Sequence, residues 1–280
     1  MVAMAKSKSG SKISSLARWR SWVQAALLLV WLNPWLHLST VCSPVFHCVS
    51  CPLASFACPI GALANFSAIH VFPFAAVGTL LIYGVVFGTF ICGWVCPFGF
   101  LQDLVARIPT PKFELPTWMG YLRYVVLIVF VLAIPFFFSE SSPLFFCSLC
   151  PAGALEAALP HTAKLAIAGQ QVSWPSTVKI TILVLILVAM LFKRRPWCTV
   201  FCPLGAIFAL FNRISIFFVK FYPDRCSDCD LCRDKCPCAG LSERRAGVER
   251  CVRCLKCAGC SAITVEPVFS QQDRPEQGVR

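Results

Sequence analysis

Charge is what this 280-residue sequence lacks most. Asp, Glu, Lys and Arg together make up 14% of it, against about 25% in an ordinary soluble domain. From Ser21 to Gln102 there is not one such residue. A chain with so little charge cannot present a soluble surface, and its 58% hydrophobic content excludes a disordered one. Negative charge is the scarcer sign: 13 acidic residues face 25 basic ones, for a net +12. There is no GxGxxG fingerprint and no flavin-attachment segment, which removes the common dinucleotide-dependent classes. Histidines number four. His37 and His70 fall in apolar stretches, but neither has a spaced partner on another one, so a haem pair is not indicated and a locally satisfied ring is expected. What the sequence has in excess is apolar surface, with a mean hydropathy of +0.72, and cysteine, 19 residues in all. Length and hydropathy exclude a small secreted disulfide scaffold and point to a bilayer.

Four membrane spans are expected, near 21–40, 69–91, 121–138 and 176–192. The third contains the charge-free run Tyr124 to Ser139, and the fourth carries Lys179 near one end, where lysine can snorkel to the interface. Basic residues assign the sides. Lys6, Lys8, Lys12, Arg18 and Arg20 precede the first span, Arg107, Lys112 and Arg123 lie between the second and third, and Lys193, Arg194 and Arg195 follow the fourth. The loop from Thr40 to Ala68 has no basic residue and that from Ser139 to Pro175 has only Lys164. Both termini are therefore expected on the cytoplasmic side, with those two loops outside. The basic excess is read as this asymmetry, so no nucleic-acid partner is expected. Trp31-Leu32-Asn33-Pro34-Trp35 offers no small-residue cleavage site, so the first span is read as an anchor and not a signal peptide. Between Phe201 and Tyr222 an apolar stretch holding Arg213 and Lys220 is expected to lie as an interfacial helix.

The polar segment after Tyr222 holds two cysteine runs. The first is Cys226, Cys229, Cys232 and Cys236 followed by Pro237; the second is Cys251, Cys254, Cys257 and Cys260. Three closely spaced thiolates wrap three corners of a cubane, and the fourth cysteine of each run reaches the other cluster. The crossover predicts Cys226, Cys229, Cys232 and Cys260 on one [4Fe–4S] cluster and Cys251, Cys254, Cys257 and Cys236 on the other. Zinc sites use separated Cys-x2-Cys pairs, in which a third cysteine at the same spacing has no use. The segment, over roughly Tyr222 to Val265, resembles a bacterial two-cluster ferredoxin. It departs from that pattern in the x2 gap before Cys260, in Ser261 where proline is usual, and in the extra Cys238.

The membrane part repeats itself. Ser43–Pro52 matches Ser142–Pro151 at a constant offset of 99, pairing Cys48 and Cys51 with Cys147 and Cys150. Each half continues to Gly-Ala-Leu, at Gly61 and Gly153, after an insertion holding Cys58 in the first. A second match pairs Cys92-x3-Cys96-Pro97 with Cys198-x3-Cys202-Pro203 at an offset of 106. Two two-span hairpins of like orientation are related by a pseudo-twofold axis along the membrane normal. Such an axis brings Cys92 and Cys96 opposite Cys198 and Cys202 on the inner side, and Cys48 and Cys51 opposite Cys147 and Cys150 on the outer side. Each set is one cluster's worth of thiols. Buried cysteines also act as small hydrophobes, and outer pairs can form disulfides, so both sets stand as candidate metal ligands only. Cys42 and Cys58 have no partner in this alignment. Asp103 and Glu156, just past these motifs, are candidate proton acceptors for a quinol, with helix N-terminal charge as the plainer role.

With its paired Cys-x3-Cys-Pro motifs, basic N-terminus, four expected spans and two-cluster segment, the chain resembles the NapH-type membrane ferredoxins and the membrane halves of NosR-like and MauN-like proteins. The expected fold is an α-helical membrane protein of two repeated two-span hairpins with a small cytoplasmic α+β ferredoxin-like domain. Its parts are a basic segment (1–20), hairpin repeats (21–106 and 107–220), the ferredoxin domain (221–265) and a polar tail (266–280). The resemblance implies a multi-pass protein of the bacterial-type cytoplasmic membrane. It would pass electrons between the quinone pool and a soluble or membrane redox partner through two [4Fe–4S] clusters. One or two further iron–sulfur centres are suggested by the placement of the membrane cysteines and not by the family, whose core pattern lacks the outward pairs. The same family admits a redox-sensing or metalloenzyme-maturation role without quinol turnover, and a simple anchor that docks a soluble oxidoreductase is a third reading.

Overall fold

The computed structural model describes residues 19–29, 38–42, 56–111, 113, 116–139, 142–167, 169, 176–212, 214–221, 251–257 and 263–267. The chain is mostly helical. Helix α1 covers 19–29. A short parallel pairing joins β1 (Leu38–Cys42) to β2 (Phe56–Ala57). Then follow α2 (Pro59–Ala68), α3 (Phe74–Phe87), α4 (Phe90–Trp94) and α5 (Pro97–Val105). Helix α6 runs over Trp118–Phe138. The short α7 (Phe146–Leu149) leads into α8 (151–167), and α9 (Thr177–Phe192) into α10 (Trp197–Phe201) and α11 (Pro203–Phe211). Strand β3 (Phe217–Phe221) pairs antiparallel with β4 (Ile263–Pro267), in register from Phe217 opposite Pro267 to Phe221 opposite Ile263.

Helix α6, at 21 residues, is the one helix among those described that is long and apolar enough to cross a bilayer. Its rise of about 1.5 Å per residue gives roughly 30 Å. The expected third span is this helix. Its middle, Val126–Ala133, is wound as a π-helix just before Pro135. The wider turn accommodates a proline that has no N–H to give and whose ring crowds the preceding turn. The expected fourth span coincides with α9, 16 residues long. Long apolar side chains project outward from α3 (Phe74, Ile82), α6 (Ile128, Phe137) and α9 (Val184, Leu185).

Other expectations change. The first span, 21–40, is not one helix, since α1 gives way to the strand at Leu38 and residues 30–37 lie outside the described set, His37 among them. The second, 69–91, starts later, because His70 takes a φ of +57° and Pro73 caps α3, and it breaks at Gly88. The outer loop of the first half contains α2, whose Pro59, Ile60, Gly61 and Ala64 are buried. Its ten residues were too few to register as an element beside the runs of 20 that mark spans. The interfacial helix expected over 201–222 covers only Pro203–Phe211, and β3 takes the rest because its backbone pairs with β4.

One continuous apolar core joins the helices. It includes Ile60, Leu80, Ile91, Phe98, Phe146, Met190, Trp197, Leu204 and Phe208, and four cysteines sit within it: Cys92, Cys96, Cys150 and Cys202. Gly88 marks where α3 ends against this core. Its φ is +54°, and a Cβ there would stand 2.9 Å from Asn212 Oδ1 and 3.2 Å from an Arg253 guanidinium nitrogen. Gly88→Ala is therefore expected to cost about 1–3 kcal/mol of stability through the left-handed backbone alone. Gly78→Ala, in the middle of α3 with nothing within 4 Å of the new methyl, is expected to be neutral or slightly stabilising. Thermal unfolding of the two variants in detergent checks the contrast.

Candidate metal centre

The two Cys-x3-Cys-Pro motifs fold alike. Cys96 and Cys202 each precede a helix whose first residue is proline, at φ −69°, ψ 121° and φ −71°, ψ 112° respectively. Proline suits that position because its missing N–H is one the first turn leaves unpaired. Three residues after each cysteine stands a glycine, Gly99 or Gly205. A Cβ on either would approach the carbonyl of the earlier cysteine, Cys92 O at 2.9 Å and Cys198 O at 3.2 Å. The Gly205 N–H donates to Cys202 Sγ at 3.3 Å. All four thiols are buried. Cys92 lies within electrostatic reach of Cys96 and Cys198, and Cys202 within reach of the other three. The sequence-predicted inner set is thus brought together. Gln102, fully buried, clamps it by donating to Cys198 Sγ at 2.9 Å and accepting from the Trp197 N–H at 3.2 Å.

Buried cations surround these thiols. Arg123 and Arg195 both act on Cys92, and Arg195 donates to the Cys92 carbonyl at 3.1 Å. Arg195 also grips Asp103 with two bonds of 3.0 and 2.6 Å, and Arg20 pairs with the same carboxylate at Oδ2. Arg20 reaches the Gly93 carbonyl at 2.7 Å, where Gln24 joins it at 3.0 Å. Burial by itself would raise the Asp103 pKa, but Arg195 and Arg20 outweigh it and hold the carboxyl at about 2. Asp103 is therefore no proton acceptor near neutral pH. Nor is it an N-terminal helix charge, since it is the seventh residue of the nine in α5. It is the counter-ion of two buried guanidiniums. The side chain of Glu156 lies outside the described residues.

The second ferredoxin run seats directly on the first of these motifs. Residues 251–257 are described, whereas Cys226, Cys229, Cys232, Cys236, Cys238 and Cys260 lie outside the described residues. The Cys251 carbonyl accepts from the Thr89 hydroxyl at 2.6 Å and the Asn212 amide at 3.1 Å. Trp94 Nε1–H donates to the Arg253 carbonyl at 3.2 Å, and Arg253 donates to the Asn212 carbonyl at 2.8 Å. Leu255 packs on Trp94. Gly93 is in such close contact that a Cβ would collide with the Val252 carbonyl oxygen. Arg253 and Leu255 hold φ of +47° and +57°. Alternation of left-handed and ordinary backbone turns successive N–H groups toward one side, a concavity that suits anions and iron–sulfur clusters. The Arg253 N–H points to Cys251 Sγ at 3.4 Å.

Of the expected outer set, Cys147 and Cys150 are described. Cys48 and Cys51 lie outside the described residues. Cys58, which the offset of 99 left without a partner, stands at the N-cap position of α2 with the same extended backbone as Cys150 before α8, each with proline next. The missed signal is Cys58-Pro-x-Gly-Ala-Leu63 against Cys150-Pro-x-Gly-Ala-Leu155, at an offset of 92. Cys42 lies in β1. His70 packs edge-on against Phe136, with ring centroids 4.3 Å apart.

Among the described residues no three His, Cys, Asp or Glu side chains converge as one metal ion would require. Thiolates at about 2.3 Å from a single zinc are nearly in mutual contact, whereas a cubane spreads its ligands over its corners. Buried thiols, an all-sulfur donor set, flanking guanidiniums and N–H groups aimed at sulfur suit an anionic iron–sulfur cluster.

The 4Fe-4S binding domain family matches residues 69–116, 122–159 and 177–221, spanning Cys92, Cys96, Cys147, Cys150, Cys198 and Cys202. Uncharacterized protein MJ0750 of Methanocaldococcus jannaschii is 29% identical over 62% of this chain and 69% of its own length. YccM of Escherichia coli, provisionally named an electron transport protein, is 26% identical over 52% of the chain and 40% of its own. Regulatory protein NosR of Stutzerimonas stutzeri is 27% identical over 52% of the chain but 19% of its own. The chain is thus similar to 4Fe-4S binding proteins, with relatives named for electron transport and for regulation. It spans well under half the length of YccM and NosR. No solved structure matches it.

Asp103→Asn leaves two buried guanidiniums sharing no counter-ion. Removing one partner of a buried ion pair costs about 3–5 kcal/mol, and a loss of that order is expected in denaturant unfolding. The wild-type carboxylate contributes its full stabilisation above its ordinary pKa of 3.8 and loses it as pH falls through about 2. The stability of the Asn variant should lack that acid limb.

Proposed function

We propose that this protein is a membrane ferredoxin of the NapH/NosR type that transfers electrons. In this reading an iron–sulfur centre on Cys92, Cys96, Cys198 and Cys202 exchanges electrons with the quinone pool and with the cluster on Cys251, Cys254, Cys257 and Cys236. A cluster supplies reversible one-electron exchange at a potential set by its surroundings. The chain's own residues supply the rest. The observation that carries the reading is the contact of Gly93 with Val252, which sets the cysteine run 251–257 against the turn holding Cys92 and Cys96. Electron tunnelling falls steeply with distance, so cofactor-bearing loops in van der Waals contact are an efficient pair. Arg195 and Arg123 offset the negative charge of thiolates and cluster, which favours the reduced state. Gln102 holds Cys198 by a hydrogen bond to sulfur, an interaction that tunes cluster potential.

A multi-pass topology with cytoplasmic termini is part of the proposal. Outward-facing apolar side chains on α3, α6 and α9 support it, as does the grouping of Arg20, Arg195 and Lys256 at one end of the helices. Two [4Fe–4S] clusters in the segment after Tyr222, a redox partner protein and a quinol as electron source belong to the same reading. The name of NosR favours a second one, in which the clusters report a redox state without sustained turnover.

The test counts iron and acid-labile sulfide in anaerobically purified wild type and in a variant with Cys92, Cys96, Cys198 and Cys202 all changed to Ala. The expected wild-type content exceeds the roughly eight irons of two cubanes and falls by about four in the variant. Equal content in the two proteins would remove the inner centre. Gly93→Ala is expected to keep its iron yet slow quinol-dependent reduction of the remaining clusters at least tenfold in stopped-flow absorbance. A sensor would show no sustained reduction of an added acceptor in either protein.

A further inference from the structure

Two more Cys-Pro steps are built like the pair at the inner centre. Cys58 sits at φ −73°, ψ 122° and Cys150 at φ −70°, ψ 118°, against −69°, 121° for Cys96 and −71°, 112° for Cys202. Each is followed by a proline in the first helical turn and, at the third position, by a glycine that leaves room beside the sulfur. The Gly153 N–H donates to Cys150 Sγ at 3.3 Å, the same bond at the same length as Gly205 to Cys202. A Cβ on Gly61 would lie 3.6 Å from Cys58 Cβ and 3.7 Å from Cys147 Sγ. Gly61 therefore separates two cysteines that reach the same small space from different elements, Cys58 from the start of α2 and Cys147 from α7. Cys58, Cys147 and Cys150 all pack against the one apolar core. The N–H groups of a helix's first turn stabilise a thiolate over a thiol. A mere small hydrophobe has no need of the arrangement.

The helix that carries Cys58 and the inner centre meet α6 at different points along its length. Arg123, near the start of α6, acts on Cys92. By contrast, α2 lies against the other end of α6, where Ser67 bonds to the Leu132 carbonyl at 2.9 Å and His70, just after α2, meets Phe136. Arg123 and Leu132 stand nine residues apart on α6, about 14 Å along its axis.

We propose that Cys58, Cys147 and Cys150 form a second thiolate site that holds an iron–sulfur cluster through three protein sulfurs, distinct from the inner centre. It rests on the likeness of Cys58 to Cys150, Cys48 and Cys51 lying outside the described residues. It stands whether or not the inner cysteines bind a cluster.

Cys58→Ser is placed in the full chain lacking the four inner cysteines, and iron and sulfide are counted in anaerobic detergent preparations. A further loss of about three to four irons per chain is expected on changing Cys58. In wild type, an alkylating reagent followed by peptide mass spectrometry is expected to modify Cys58 and Cys147 only after the folded protein has been stripped of iron. Three results overturn the proposal: unchanged iron on losing Cys58, equal alkylation of Cys58 before and after iron removal, or protection released by a reductant and not by iron removal, which identifies a disulfide. If the variant does not accumulate, the wild-type alkylation pattern decides alone.

Discussion

Asp103 pairs with both Arg20 and Arg195, and the arrangement of the inner half of the molecule follows from that carboxylate. Two guanidiniums buried in an apolar core repel each other and lose their hydration, so neither could occupy its place without a shared counter-ion. Once paired, each has donors left over, and these go to backbone. Arg195 takes the Cys92 carbonyl and Arg20 the Gly93 carbonyl. The ion pair therefore fixes the turn between the cysteines of the first motif, joining α1, α5 and the segment before α10 around it. The loop 251–257 docks on the turn so fixed.

This arrangement explains why some of the molecule was legible in the sequence. Helices α6 and α9 lie where long apolar runs announced them, because such runs have few alternatives to a helix that satisfies its own backbone. Bringing Cys92 and Cys96 near Cys198 and Cys202 required only the recurrence of Cys-x3-Cys-Pro and the symmetry it implies. The mutual electrostatic influence of those thiols matches that placement.

What was not legible depended on partners distant in sequence. Asp103 beside a cysteine motif invited a proton-transfer role, and only the approach of Arg20, 83 residues away, and of Arg195, 92 away, makes it a fixed charge. Strand β3 reads as a continuation of an apolar helix until β4 arrives from the far side of the ferredoxin segment. Cys58 was obscured because the longer match, through Cys48 and Cys51, drew the alignment seven residues off the shorter one that joins Cys58 to Cys150.

The pairing of β3 with β4 has a mechanical consequence. The first strand leaves the helical body a few residues after α11 and the second returns beyond the last cysteine of the second run. The polar segment between them is thereby closed at its base, like a loop of rope tied where it leaves the post. Such a tether holds residues 251–257 at a local concentration about that of short-linker systems, in the millimolar range, whatever the abundance of the protein. Its docking on Gly93 and Trp94 is then independent of protein concentration, and a soluble competitor would have to outbid an intramolecular contact to displace it.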